Sequence, residues 1–245
     1  MVGVVDIGNT NIHCGLYDGE VLRKKNTFPV VPHRITDGMK LFFATKELNG
    51  AAIASVVPRL TDRWITYFKK NCNFSPLIVS SKIDSHLTFR YYNPETLGAD
   101  RIANVVGGLA RYKRNVVVVD FGTATTLDAV LKDGTYLGGI ITPGVGISLD
   151  VLSEKTALLK RVRLKRPESI IGRSTEECIQ SGIFYGTVVM IRGFIHKIKK
   201  DMRKKFLCVA TGGWGKMISP HIEEIREFDP DLALFGILKI YQYNV

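Results

Sequence analysis

Cysteine is scarce and scattered: Cys14, Cys72, Cys178 and Cys208 form no CxxC pair, and the histidines at 13, 33, 86, 196 and 221 do not approach metal-ligand spacing. That pattern argues against a disulfide framework and against structural zinc. Long hydrophobic runs are lacking as well. No stretch approaches the roughly 18 uncharged apolar residues of a membrane span. Asp6 interrupts the apolar start before a signal core can form. A cytoplasmic protein with no membrane partner is expected. With 23 glycines, 9 prolines, 45% apolar and 23% charged residues, the chain has ordinary globular usage, which excludes fibrous and disordered classes. No GxxxxGK[ST] loop is present, so the P-loop enzymes are removed too. The 245 residues suffice for one sizeable domain or two packed lobes.

Acidic charge is the remaining shortage. Lysine and arginine number 34 against 23 aspartates and glutamates, a formal charge of +11 that invites a nucleic-acid reading. The excess is local. Residues 155–166 hold six basic and no acidic residues, and residues 192–205 hold seven basic and one acidic, so the rest of the chain is close to neutral. Ile191, Phe194, Ile195, Ile198 and Met202 recur at helical spacing through the second window, with most of its lysines off that stripe. A solvated helix face is expected there, with no specific nucleic-acid partner.

What the chain does contain is an internal echo. Val2-Gly-Val-Val-Asp6-Ile-Gly-Asn-Thr-Asn11 recurs in pattern as Val116-Val-Val-Val-Asp120-Phe-Gly-Thr-Ala-Thr-Thr126, with the two aspartates 114 residues apart. Each copy is an apolar run of strand length ending in aspartate, then a Gly turn rich in hydroxyl or amide side chains, then a second apolar segment. The first copy is followed by a strand near 20–28, a helix near 33–48, a strand at 51–56, a helix at 59–72 and a strand at 76–80. The second is followed by strands near 125–131 and 135–141, a helix from about 146, a long helix near 176–204, a strand at 206–210 and terminal helical segments. An α/β chain of two related lobes is expected, 1–110 and 111–245, with the helical segment from Pro94 to about Tyr112 joining them.

The chemistry-bearing residues cluster on these repeats. Gly turns flanked by Thr and Asn offer unhindered N–H and hydroxyl donors to phosphate oxygens. Asp6 and Asp120 would repel such an anion unless a cation lay between them, so a metal such as Mg2+ is implied. As bare hairpins, the same turns would need only an Asx cap. Gly98-Ala-Asp100-Arg101 opens the joining helix. Asp100 and Asn104 share a polar face at i, i+4, which Gly107 and Gly108 continue, so Asp100 is a candidate general base or simply a stabilising charge at a helix start. Ala210-Thr-Gly212-Gly213, after an apolar strand, is a turn that a nucleotide could approach closely.

Taken together these segments resemble the type III pantothenate kinases of the acetate and sugar kinase, heat-shock ATPase and actin superfamily. The likeness runs through DIGNTN at 6–11, GADR at 98–101, DFGTATTLDAV at 120–130, GGIITPGVGISLDVL at 138–152, STEECIQSGIFYG at 174–186, ATGG at 210–213 and DPDL at 229–232. It implies a duplicated ribonuclease H-like (actin-like ATPase) architecture with a central mixed sheet in each lobe, and ATP-dependent phosphorylation of pantothenate to 4′-phosphopantothenate in coenzyme A biosynthesis. It places ATP phosphates on Asp6, Ile7, Gly8, Asn9, Thr10, Asn11, Ile12 and His13, with Asp6 near Mg2+ and with Thr123, Gly212 and Gly213 at the nucleotide. Asp120 would coordinate K+ or NH4+. Gly98, Ala99, Asp100 and Arg101 would hold pantothenate, with Asp100 the base and Tyr91 and Thr175 completing the pocket of a homodimer. Trp214-Gly215 and Ser174 depart from the family, which has smaller apolar residues after ATGG and Asn before the pocket threonine. Some family members have been regarded as accessory factors in gene regulation. A regulator without kinase activity and a kinase for another small molecule are therefore the alternatives.

Overall fold

The computed structural model describes every residue except 32–33, 45–47, 157–158 and 160–161. In chain order the strands and helices are β1 (Val2–Ile7), β2 (Asn11–Asp18), β3 (Val21–Pro29), α1 (Asp37–Phe43), β4 (Gly50–Ser55), α2 (Pro58–Cys72), β5 (Leu77–Ile78), β6 (Thr88–Phe89), α3 (Ala99–Tyr112) and β7 (Val116–Phe121). They continue with β8 (Ala124–Val130), β9 (Thr135–Pro143), α4 (Val145–Lys155), α5 (Thr175–Met202), β10 (Leu207–Thr211), α6 (Gly215–Ile218), β11 (Ile225–Phe228) and α7 (Leu232–Tyr243). The helix expected over 33–48 is confined to α1 among the described residues, and positions 33 and 45–47 lie outside them. Part of the basic window 155–166 does too, at 157–158 and 160–161.

Two compact units emerge. The first comprises Met1–Lys113, Val130–Leu137 and Asp231–Val245; the second comprises Arg114–Ala129 and Gly138–Pro230. This differs from a single cut at 110/111, because the C-terminal helix α7 packs on α3, β1 and β4 of the first unit. The contact is very close. A Cβ on Gly236 would stand 1.8 Å from the Ala103 carbonyl oxygen, and one on Gly107 would stand 2.4 Å from that of Leu232, so α3 and α7 cross with their backbones nearly touching. Gly107 thus belongs to a packing face, not to the polar face expected for it.

The first unit's sheet has the order β3-β2-β1-β4-β5, antiparallel between β1 and β2 and between β2 and β3, and parallel from β1 through β4 to β5. The second unit's strands run β9-β8-β7-β10-β11, the same order when each set is ranked along the chain. Asp6 is the fifth residue of β1 and Asp120 the fifth of β7. The echo in sequence is therefore a duplication in topology. Two short strands escape a sequence reading. One is β6, which pairs with Thr135 and Tyr136 inside the first unit, and the other is β11 beside β10.

Local chemistry sets the elements. In α2, Pro58 at the first position suits the missing N–H of a helix start, Asn73 in the left-handed region closes the end, and Leu60, Trp64 and Phe68 fall on one buried face at i, i+4, i+8. Trp64 and Phe68 meet Phe43 edge-on at 5.4 Å each, and the cluster covers one face of the first sheet. Each such side chain contributes roughly 1.5–3 kcal/mol on burial. In α5, the Ser174 hydroxyl accepts from the Glu177 amide at 3.2 Å while the Glu177 carboxylate accepts from the Arg173 amide at 2.7 Å, so the serine at this departure from the family caps the helix. By length and composition α5 would suffice to cross a membrane. The expectation that no uncharged apolar run of about 18 residues exists still holds, because the uncharged stretch 178–191 of α5 is bounded by Glu177 and Arg192.

Candidate functional site

In the first unit, Asp6 lies half-buried near the end of β1, in register with His13 of β2 and Ala54 of β4. The Gly8 amide donates to the Asn11 carbonyl at 3.0 Å, which closes the turn and leaves Asn9, Thr10 and Asn11 exposed. Gly8 has no positive φ. Glycine is suited there because a Cβ would approach the Asn11 oxygen to 3.2 Å. Ile7 and Ile12 are fully buried, so only their backbones remain for a ligand.

His13 bonds through Nδ1 to the Thr27 hydroxyl at 2.9 Å. Burial pushes its pKa below the ordinary histidine value, opposed by the Asp231 carboxylate and reinforced by the Lys25 ammonium, so the ring is mainly neutral at pH 7. Lys25 in turn holds both oxygens of Asp231, at 2.8 Å each, just before α7 begins. Asp231 belongs to the DPDL segment, whose part in this network the sequence did not disclose.

The start of α3 lies beside that turn. The Val56 amide donates to the Ile7 carbonyl at 3.1 Å, and Val56 Cγ1 stands 3.6 Å from where a Gly98 Cβ would be. That imagined Cβ would also come within 2.4 Å of Asp100 Oδ1, so Gly98 makes room for the carboxylate. Asp100 is half-buried, and its Oδ1 accepts from the Arg101 amide at 2.8 Å. Arg101 is only 7% exposed, and its Nη2 donates to the Tyr136 hydroxyl at 3.0 Å. Tyr136 is completely buried and its ring meets that of Tyr91 at 5.9 Å. The first unit thus groups Asp6–His13, Tyr91 and Gly98–Arg101, and adds Tyr136, which looked like an ordinary strand residue. Ala99 is buried. Asn104, expected on the exposed polar face with Asp100, is 1% exposed, because α7 covers much of α3.

In the second unit, Asp120 is half-buried near the end of β7, in register with Thr211 of β10. Gly212 adopts φ +86°, and a Cβ there would stand 2.3 Å from Asp120 Oδ1. Only glycine fits this position without strain. The Trp214 amide donates to the Phe121 carbonyl at 3.2 Å, fastening the ATGG turn to the Asp120 turn. Gly144 closes the other side: a Cβ would stand 2.1 Å from the Thr123 carbonyl and 2.6 Å from that of Gly122. Thr123 and Gly213 are exposed, and Thr175 is exposed at the first position of α5. The second unit therefore brings Asp120, Thr123, Gly212 and Gly213 together, and sequence reasoning missed Gly144.

Among the described residues no three His, Cys, Asp or Glu side chains gather as a metal cluster. The Asp6 and Asp120 carboxylates, with the carbonyl and hydroxyl oxygens of their turns, offer oxygen donors only. Such donors suit hard cations such as Mg2+ and K+ better than zinc.

The sequence pattern of the type III pantothenate kinases matches residues 4–197. A protein of that name from Moorella thermoacetica is 37% identical over 253 residues, covering 100% of both chains. Among solved structures, a Campylobacter jejuni protein named as a candidate Baf family transcriptional activator superposes with TM-score 0.62 at 23% identity, covering 99% of this chain and 98% of that one. A candidate 2-dehydro-3-deoxygalactonokinase from Sinorhizobium meliloti gives TM-score 0.63 at 11% identity, covering 99% and 96%. At those identities the structures speak for the fold alone, which is the duplicated ribonuclease H-like fold of sugar kinases and actin-like ATPases. With the family pattern over most of its length and a relative aligned from end to end, the chain belongs to the type III pantothenate kinase family.

Proposed function

We propose that this enzyme transfers the γ-phosphoryl group of ATP to the primary hydroxyl of pantothenate, giving 4′-phosphopantothenate for coenzyme A synthesis. The observations that carry the reading are the two topologically equivalent strand ends, each an aspartate beside a Gly turn, and the GADR helix start beside the first of them, in a chain of this family. The Asp6–His13 turn takes the ATP phosphates through backbone N–H groups and the Asn and Thr side chains, and Thr123, Gly212 and Gly213 take the rest of the nucleotide. Asp6 is the Mg2+ carboxylate and Asp120 the K+ or NH4+ carboxylate; when bound, these cations supply charge neutralisation at the phosphates. Gly98, Ala99 and Arg101 hold pantothenate with Tyr91 and Thr175, and Tyr136 orients the Arg101 guanidinium. Asp100 accepts the hydroxyl proton as the bond to phosphorus forms.

The purified protein is expected to release ADP from ATP and Mg2+ only when pantothenate is added, and to do so well in potassium or ammonium and poorly in sodium. No response to pantothenate in potassium would overturn the substrate assignment. Equal rates in sodium would remove the monovalent-cation role of Asp120 while leaving the substrate standing.

A cytoplasmic homodimer is part of this reading, with no membrane or specific nucleic-acid partner. Gly182, Gly186 and Gly193 of α5 have open space where a Cβ would stand. Beside them Ile170, Ile171 and Val189 are 66%, 76% and 65% exposed, and part of this face borders a groove of about 570 Å3. A second copy of α5 would cover this apolar, small-residue stripe and account for its membrane-like composition. Val189→Glu is expected to shift the protein from dimer to monomer in sedimentation velocity. A parent protein that sediments as a monomer at micromolar concentration would dismiss the dimer.

A further inference from the structure

The cations of segment 192–205 are only partly explained by the helix that carries them. Lys199 and Lys200 sit in the last turn of α5, where positive charge complements the carbonyl end. Lys204 and Lys205 lie beyond the cap at Arg203. The second unit gathers Lys199, Lys204 and Lys205 around one cleft of about 680 Å3, together with Arg114 and Arg226. Arg114 lies one residue past the α3 cap at Lys113 and leads into β7, and Arg226 lies in β11, so the cations come from different elements.

These five cations come from three separated stretches of chain, and among the described residues no ion pair engages them. Glu223 and Glu224 also border the cleft, but Arg192 holds both, with Nη2 3.5 Å from Glu223 Oε2 and Nε 3.2 Å from Glu224 Oε2. The cleft is built on the sheet and not on trailing side chains alone. The Asn115 carbonyl accepts from the Leu207 amide at 2.9 Å, and Asn115 Nδ2 donates to the Lys205 carbonyl at 3.0 Å, which fixes the backbone beside Arg114 to that at Lys205. Phe206 is buried between Lys205 and Leu207. Lys199 is half-buried and reaches the buried Cys208 thiol, a weak acceptor for an ammonium group.

The cleft opens at the starts of the parallel strands β7, β10 and β11, whereas Asp120 and Gly212 lie at the far ends of β7 and β10. Five residues of strand separate the two ends, about 16 Å. We propose that this cleft is a second anion-binding site, which takes a small molecule bearing two or more phosphate groups. Two guanidinium forks among three ammonium groups match clustered phosphate oxygens. The volume is that of a small-ligand site.

The test is calorimetric titration of the full chain with inorganic tripolyphosphate at low and high ionic strength. The parent is expected to bind saturably, more weakly as salt rises. The double variant Arg114→Gln/Arg226→Gln is expected to lose affinity by about tenfold or more, with its thermal unfolding and its pantothenate-dependent ADP release unchanged. Absence of binding by the parent, or equal affinity in parent and variant, would overturn the proposal; the latter result would assign the anion to the nucleotide turns. A short DNA duplex that displaces tripolyphosphate and binds more tightly would also overturn it, in favour of a nucleic-acid surface. Because the titration reads binding directly, it stands whether or not pantothenate proves to be the kinase substrate.

Discussion

Asp100→Asn should leave a folded protein that binds ATP and turns over about a hundredfold more slowly, or worse, the usual magnitude for loss of a positioned general base. The variant separates two roles that the wild-type residue combines. As a charge in the first turn of α3, Asp100 contributes about 0.3–1 kcal/mol to stability through the helix dipole. Its Oδ1 also accepts from the Arg101 amide, a bond that an asparagine oxygen can replace. A residue that only helped to start the helix would therefore cost a few degrees of thermal stability and little turnover. A base for the pantothenate hydroxyl would cost turnover with little change in ATP binding. Asp6→Asn should fail differently, by weakening the use of metal-bound ATP and raising its KM. ADP release at saturating pantothenate, read beside a thermal melt and an ATP titration, distinguishes these cases. Near-normal turnover in a folded Asp100→Asn protein would end the base assignment.

The parts of this fold that could be read from the sequence are those whose signal is local. Val116–Val119 followed by Asp120 and Gly122 is a strand and a turn because β-branched residues and glycine act within a few residues of themselves, and its likeness to Val2–Gly8 exposed the duplication. Terminators such as Pro58 and Asn73 act locally as well. The residues missed or misplaced are those whose role is set by distant chain. Tyr136 was unremarkable until β9 carried it to Arg101, 35 residues earlier in sequence. Asn104 looked like a polar partner for Asp100, yet α7, more than a hundred residues away, helps to bury it. The lysines of 192–205 suggested a solvated helix face, and only the sheet brings Arg114 and Arg226 to the same cleft. A short edge strand such as β11 has too few residues to show a period. The division into lobes failed to anticipate α7 for the same reason: nothing local in Leu232–Tyr243 says which sheet it covers.

Gly236→Ala should be among the most destabilising single methyl additions in this chain. On an exposed helix the exchange is favourable, since alanine exceeds glycine in helix propensity by about 0.8–1.0 kcal/mol. Here the added Cβ would stand 1.8 Å from the Ala103 carbonyl oxygen and 2.9 Å from the Gly107 amide nitrogen, both backbone atoms of α3 that no rotamer change can move. The two helices would have to separate by more than 1 Å, which would loosen the apolar contacts between them. A cost of about 3 kcal/mol or more is expected, at the upper end for overpacking. At roughly 2–4 °C per kcal/mol for a chain of this size, the midpoint should fall by about 6–12 °C. Gly38→Ala is the matched control: it lies in α1 of the same unit, where a Cβ would meet the Phe28 ring at an ordinary 3.4 Å, so its melting point should hold or rise. Function should follow stability, because the first turn of α3 carries Asp100 and Arg101, and Asp231, which holds Lys25 near His13, immediately precedes α7. Well below its melting point, Gly236→Ala should still lose turnover, since displacement of α3 moves the carboxylate from the position that Gly98 leaves open for it. A Gly236→Ala protein that melts within 2 °C of the parent would show that α3 and α7 do not cross this closely.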